Sequence, residues 1–85
     1  MASYKLLIKT SAAKELESVP SKDRRRIVKK IQSLSSDPLP AGCEKLSGGE
    51  KYRIRQGNYR ILYTIQDDVL IITVIRVGHR REVYR

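Results

Sequence analysis

Residues 51–84 read KYRIRQGNYRILYTIQDDVLIITVIRVGHRREVY, in which apolar and polar positions alternate through two segments and then give way to an almost unbroken apolar run. Tyr52 and Ile54 alternate with Arg53 and Arg55, and Tyr59, Ile61, Tyr63 and Ile65 alternate with Arg60, Leu62 and Thr64. A period of two marks a strand that buries one face. Gln56-Gly57-Asn58 supplies a tight turn between these strands, because Gly and Asn tolerate positive φ. After the polar connection Gln66-Asp67-Asp68, residues 69–77 carry Val69, Leu70, Ile71, Ile72, Val74, Ile75 and Val77. That pattern suits a strand covered on both faces and partnered on both edges. The reading is a meander of three strands whose last member is central in the sheet.

Working outward towards the N-terminus, residues 35–50 (SSDPLPAGCEKLSGGE) are rich in Pro, Gly and Ser and read as loop, with Leu39 and Leu46 pinning it to the core. A loop this long in a small domain is often functional. Before it, Ser21 is placed to cap a helix whose apolar stripe is Ile27, Val28, Ile31 and Leu34, with Arg24, Arg25, Arg26, Lys29 and Lys30 on the opposite, solvated side. Pro20 ends a shorter helix over residues 12–18, capped by Thr10 or Ser11. Residues 3–9 alternate Tyr4, Leu6 and Ile8 against Lys5 and Lys9 and read as a first strand. The expected architecture is one α+β domain over residues 1–85. In it, an N-terminal strand and a helical hairpin pack on a small, mostly antiparallel four-stranded sheet whose other face is an open, concave, arginine-lined surface.

Composition narrows the partners. Lys and Arg number 18 against 9 Asp and Glu, a net charge of +9, which favours phosphate backbones, anionic membranes or an acidic protein. Nothing approaches the run of about 18 apolar residues that a membrane helix needs, and Leu6-Leu7-Ile8 is too short for a signal-peptide core, so a cytoplasmic protein is expected. Cys43 is the lone cysteine and His79 the lone histidine, which rules out an internal disulfide and offers no zinc ligand set. Cys43 reads as an ordinary loop residue.

Arg53 and Arg55 share one side of a strand and Arg60 lies just beyond the turn, so antiparallel pairing gathers two or three guanidiniums. Such a cluster is unfavourable without an anion, and the planar guanidinium fork matches phosphate oxygens. Solvated residues that keep an open sheet face soluble would show the same pattern. His79 follows Gly78 at the end of the apolar strand and, with an unperturbed pKa of about 6.5, is a usable acid or base. Tyr84 beside several cations is a candidate base, since positive neighbours favour the phenolate.

The motifs Lys45-Leu46-Ser47-Gly48, Tyr52-Arg53-Ile54-Arg55, Gly57-Asn58-Tyr59-Arg60-Ile61-Leu62-Tyr63, Val74-Ile75-Arg76-Val77-Gly78-His79-Arg80 and Glu82-Val83-Tyr84 resemble, in order, those of the RelE family of toxins within the RelE/ParE superfamily. The likeness spans essentially the whole chain. It implies a RelE-like fold and a ribosome-dependent mRNA endonuclease that needs no metal or other cofactor. It also implies a cognate antitoxin that wraps round the toxin in a higher-order complex and releases it under stress. By the same resemblance Arg60 is the transition-state-stabilising arginine, Arg80 a general acid or phosphate clamp, and Tyr84 the general base. Arg53 and Arg55 stand where the family often has lysines that hold the RNA backbone; arginine grips phosphate better but transfers protons less readily. His79 also stands at a position that is often lysine, which leaves an acid–base role open to it, and Lys51 and Arg81 extend the RNA-binding set. Two other readings remain: a ParE-like poison of DNA gyrase, and a basic RNA- or ribosome-binding module without catalysis.

Overall fold

The computed structural model describes residues 3–46 and 49–79. Along the chain come β1 (Lys5–Ile8), α1 (Thr10–Glu17), α2 (Ser21–Ser33), β2 (Glu44–Lys45), β3 (Lys51–Gln56), β4 (Tyr59–Gln66) and β5 (Ile71–His79). The strands form one sheet in the order β1-β5-β4-β3-β2, in which β1 runs parallel to β5 and the other neighbours are antiparallel. The α+β class and the meander of β3, β4 and β5 follow the alternation of the sequence. The strand count does not: among the described residues the sheet has five strands rather than four, because Glu44 and Lys45 pair with Arg53 and Tyr52. A strand of two residues is too short to show a period.

Each helix starts without the side-chain cap its sequence suggests. Thr10 is the first residue of α1, whose N-cap is Lys9; the Lys9 N–H donates to the Val74 carbonyl of β5 at 2.9 Å, so the helix begins directly off the β1–β5 pairing. Pro20 is the N-cap of α2 and its carbonyl accepts the Arg24 N–H at 2.8 Å, which places Ser21 inside the helix. The stripe of α2 does what its spacing dictates: Ile27, Ile31 and Leu34 are buried against α1 and the sheet.

The core lies on one side of the sheet. Ala12, Leu16 and Val19 and the α2 stripe pack against Ile54, Ile61, Tyr63, Ile65, Ile72, Val74 and Val77. Burying these side chains supplies on the order of 1.5–3 kcal/mol each before the entropy of ordering is subtracted. Tyr63, wholly buried, turns its hydroxyl to the loop that follows α2 and donates to the Pro38 carbonyl at 2.7 Å. That phenol has one proton, so the Cys43 thiol, with Sγ 3.2 Å from the same oxygen, is the donor in the second contact. The loop is therefore anchored through Tyr63 and Cys43, while Leu39, expected to pin it, is 56% exposed.

β5 departs from its expected form in two ways. Val69 and Leu70 lie outside it, exposed in the turn, with Leu70 at φ +54°; the Leu70 carbonyl there accepts the Lys5 N–H at 2.8 Å and opens the β1–β5 ladder. The strand is also fully buried on one face only, with Ile72, Val74 and Val77 buried and Ile71, Thr73 and Ile75 partly exposed. Its apolar run has another cause. Leu62 pairs with Arg76 and Tyr63 with Val74, so Ile75 is an inserted residue, and this β-bulge moves the core-facing phase from Ile72 and Val74 to Val77.

β5 does have neighbours on both edges, but β1 reaches only as far as Val74. Beyond it, Glu15 of α1 takes the place of a strand: Oε1 accepts the Val77 N–H at 2.9 Å and Oε2 accepts from Arg76 at 3.1 Å. A backbone donor at an edge needs such a partner.

Candidate nucleic-acid interface

β3 and β4 carry the open face as well as the core face. Ile54 points into the core, so by alternation Lys51, Arg53 and Arg55 occupy the other side of β3, with successive members about 6.8 Å apart along the strand. On β4 the same side carries Arg60, Leu62 and Thr64. The register between the strands comes from their two-residue connection. Gln56 pairs with Tyr59, and Gly57 at φ +62° occupies the first central position of the turn, a conformation that a residue with a Cβ adopts only under strain.

That register sets Arg55 directly opposite Arg60, and Arg53 opposite Leu62. On the far side of Arg60 the partner is Gly78 of β5, which adds no side chain. Leu62 is 2% exposed yet lies outside the core cluster; its neighbours on either side are Arg53 and Arg76, whose aliphatic stems register places beside it.

Arg53, Arg55 and Arg60 converge, with Gly42, Cys43 and Glu44, on a cavity of 340 Å³. Arg53 is held there: its Nε and Nη2 lie 3.3 and 2.9 Å from Oε1 of Glu44, which β2 places opposite it in register. The hydrogen bond and charge of Arg53 hold the Glu44 carboxyl below its ordinary value, with smaller contributions from the charges of Arg60 and Arg55. Among the described residues one carboxylate thus faces three guanidiniums, a balance that leaves the cavity positive and suited to a further anion.

The anticipated site residues divide into three groups. Arg53, Arg55 and Arg60 are brought together, and Lys51 continues their row along β3. His79 is placed elsewhere: it pairs with Tyr59, on the helix-covered side, with ring centroids 5.8 Å apart and the rings edge to face at 73°. There it lines a second cavity, of 350 Å³, with Glu15, Ser18, Val19, Tyr59, Arg76, Val77 and Gly78. Arg80, Arg81 and Tyr84 lie outside the described residues. Glu44 belongs in the arginine cavity and sequence reasoning missed it; charge complementarity to Arg53 was the only signal.

A sequence model described as the ParE toxin of the type II toxin–antitoxin system parDE matches residues 6–84. The chain belongs to the RelE/ParE toxins. It is 31% identical to Toxin RelG of Mycobacterium tuberculosis, over 96% of this chain and 97% of the relative. With Toxin RelE3 of Methanocaldococcus jannaschii the identity is 35%, over 94% of each. Among solved structures, the RelBE2 toxin–antitoxin complex of M. tuberculosis superposes with a TM-score of 0.84 at 29% identity, covering 94% of both chains. The RelE resemblance of the motifs and the expected fold class are therefore borne out, and the protein is a RelE-family toxin of a type II toxin–antitoxin system.

Proposed function

We propose that this toxin is an RNA endonuclease that cuts mRNA in the ribosomal decoding site and is neutralised by a cognate antitoxin. The observation that carries the reading is the convergence of Arg53, Arg55 and Arg60 on one cavity of the open sheet face, which fits a phosphodiester backbone laid along β3. The ribose 2′-oxygen attacks the adjacent phosphorus, the bond from phosphorus to the 5′ oxygen breaks, and the products are a 2′,3′-cyclic phosphate and a 5′-hydroxyl. Arg60, with Arg53 and Arg55, offsets the charge that grows on the phosphoryl oxygens. Tyr84 accepts the 2′ proton. Arg80 or His79 protonates the departing 5′ oxygen; for His79 this requires the RNA to reach round the end of β5, because its ring stands on the helix side beside Tyr59. DNA lacks the nucleophile and is not cut. With a base and acid this weak, the rate depends on the ribosome to align the 2′-oxygen with the phosphorus.

A cognate antitoxin has two supports. The solved relative was captured in a RelBE2 toxin–antitoxin complex, and a chain of net charge +9 attracts an acidic partner. The ribosome places the toxin's site of action in the cytoplasm, and no helix among the described residues is long and apolar enough to cross a membrane. The second reading, a gyrase poison, draws on the ParE description of the matching family.

Primer extension on a defined mRNA in a programmed ribosome, beside a gyrase supercoiling assay, decides between them. Cuts within the decoding-site codon that disappear in Arg60→Ala and Tyr84→Phe are expected. Intact mRNA with inhibited gyrase would transfer the toxin to the second reading, and neither effect would leave a binding module.

A further inference from the structure

Glu44 is an unexpected residue to find on a surface read as a phosphate-binding floor, because a carboxylate there repels the substrate. Its position is nevertheless built. The β2–β3 pairing sets it opposite Arg53, and its Oε1 takes both the Nε and Nη2 donors of that guanidinium, the same two-pronged approach by which arginine engages a phosphate oxygen. The two partners differ in access to water. The Arg53 side chain is 15% exposed and that of Glu44 63%. If the pair opens, the arginine stays where the sheet and Leu62 hold it, and the carboxylate is the member free to swing into solvent.

We propose that Glu44 is an internal counter-ion that occupies the phosphate subsite of Arg53 in the RNA-free toxin and is displaced by a backbone phosphate of the RNA. This rests on the reading of the arginine face as the RNA interface. Two consequences follow from the geometry. While the subsite is empty of RNA, Glu44 keeps the Arg53 fork aimed into the cavity, so less side-chain entropy is lost when a phosphate arrives. Binding must also break one exposed ion pair, so Glu44 holds affinity down, and Arg53 exchanges one anion for another instead of releasing a bound salt ion.

The test is fluorescence anisotropy of the full-length toxin with a short, labelled 2′-O-methyl single-stranded RNA, which cannot be cleaved, titrated at several salt concentrations. The variants are Glu44→Gln, Arg53→Gln and the double substitution, with Glu17→Gln on α1 as a control that removes the same charge away from the cavity. Glu44→Gln is expected to bind roughly two- to fivefold tighter than wild type, the size of an exposed ion pair. Its plot of log affinity against log salt should be steeper than that of the wild type, because Arg53 without its internal carboxylate gives up a bound salt anion when the phosphate arrives. Both gains should vanish when Arg53 is already Gln, and Glu17→Gln should show neither.

Binding that weakens in Arg53→Gln but is no tighter in Glu44→Gln than in Glu17→Gln overturns this proposal alone. So does a gain that survives the loss of Arg53, or weaker binding by Glu44→Gln. No measurable binding by the wild type overturns the reading of the face, and the proposal with it.

Discussion

The two faces of the β3–β4 hairpin are made by the same fourteen residues of strand, alternately assigned, and they obey opposite rules. On the helix side Ile54, Ile61, Tyr63 and Ile65 are buried and, apart from the hydrogen bonds of the Tyr63 hydroxyl, they pack by shape. On the open side Arg53, Arg55 and Arg60 surround a cavity, and like charges are brought together that no stability argument would place side by side. The first face secures the sheet, so that the second can keep its charges in register with the Glu44 carboxylate as the counter-ion among the described residues. Stability and function are therefore expected to separate by the parity of residue number along these strands.

The sharpest way to break this comparison is a substitution on each face. Ile61→Ala empties a fully buried position and should cost about 2–5 kcal/mol of unfolding free energy in urea. A much smaller loss would mean that the helix face is not what secures the arginines. Arg60→Ala should do the reverse. Ribosome-dependent cleavage is expected to drop by about 10²–10³-fold, as when one donor to a developing oxyanion is removed, with the urea midpoint nearly unchanged. A variant that lost activity only because it unfolded would erase the distinction.

Two smaller effects test the attachments of the sheet. Glu15→Ala leaves the Val77 N–H without its acceptor just past the end of β1 and should cost about 1–3 kcal/mol. Amide exchange at Val77 should speed up more than at Val74, which lies within the stretch that β1 covers. Tyr63→Phe keeps the ring and deletes the hydrogen bonds to Pro38 and Cys43, for a loss of about 1 kcal/mol at pH 7. Its pH dependence is distinctive. Burial holds the Tyr63 phenol well above its ordinary value of 10.0, because the charged phenolate is kept from water. A group raised in the folded state contributes its full stability below the unfolded value and loses it as pH rises towards the folded one. Wild type should thus lose stability above about pH 10 more steeply than Tyr63→Phe in chemical denaturation followed by circular dichroism; parallel curves would remove Tyr63 as the cause.

Much of this was legible in the residues. The period of two in β3 and β4 assigns Ile54 and Ile61 to the core and Arg53, Arg55 and Arg60 to the open face, and the Gly57 turn then fixes their register. The α2 stripe was equally plain, because Ile27, Ile31 and Leu34 recur at helical spacing. What stayed hidden has no local signature. β2 is two residues in a segment of Pro, Gly and Ser, so nothing announced that Glu44 would join the arginines. Leu39 has the composition of an anchor and Cys43 does not, yet it is Cys43 that finds the Tyr63 hydroxyl across 20 residues of sequence.

His79 marks the boundary most clearly. Counted by strict alternation from the buried Ile72 and Val74, His79 falls on the arginine face; the inserted Ile75 reverses the phase, and the ring sits against Tyr59 on the helix side. The alternation of residue types settles the α+β class, the core stripes and the row Lys51, Arg53 and Arg55, because those depend on a period that every residue carries. The bulge, the placement of Glu44 beside Arg53 and the side on which His79 stands come from the folded sheet, because each depends on how two strands align, and a shift of one residue exchanges the two faces.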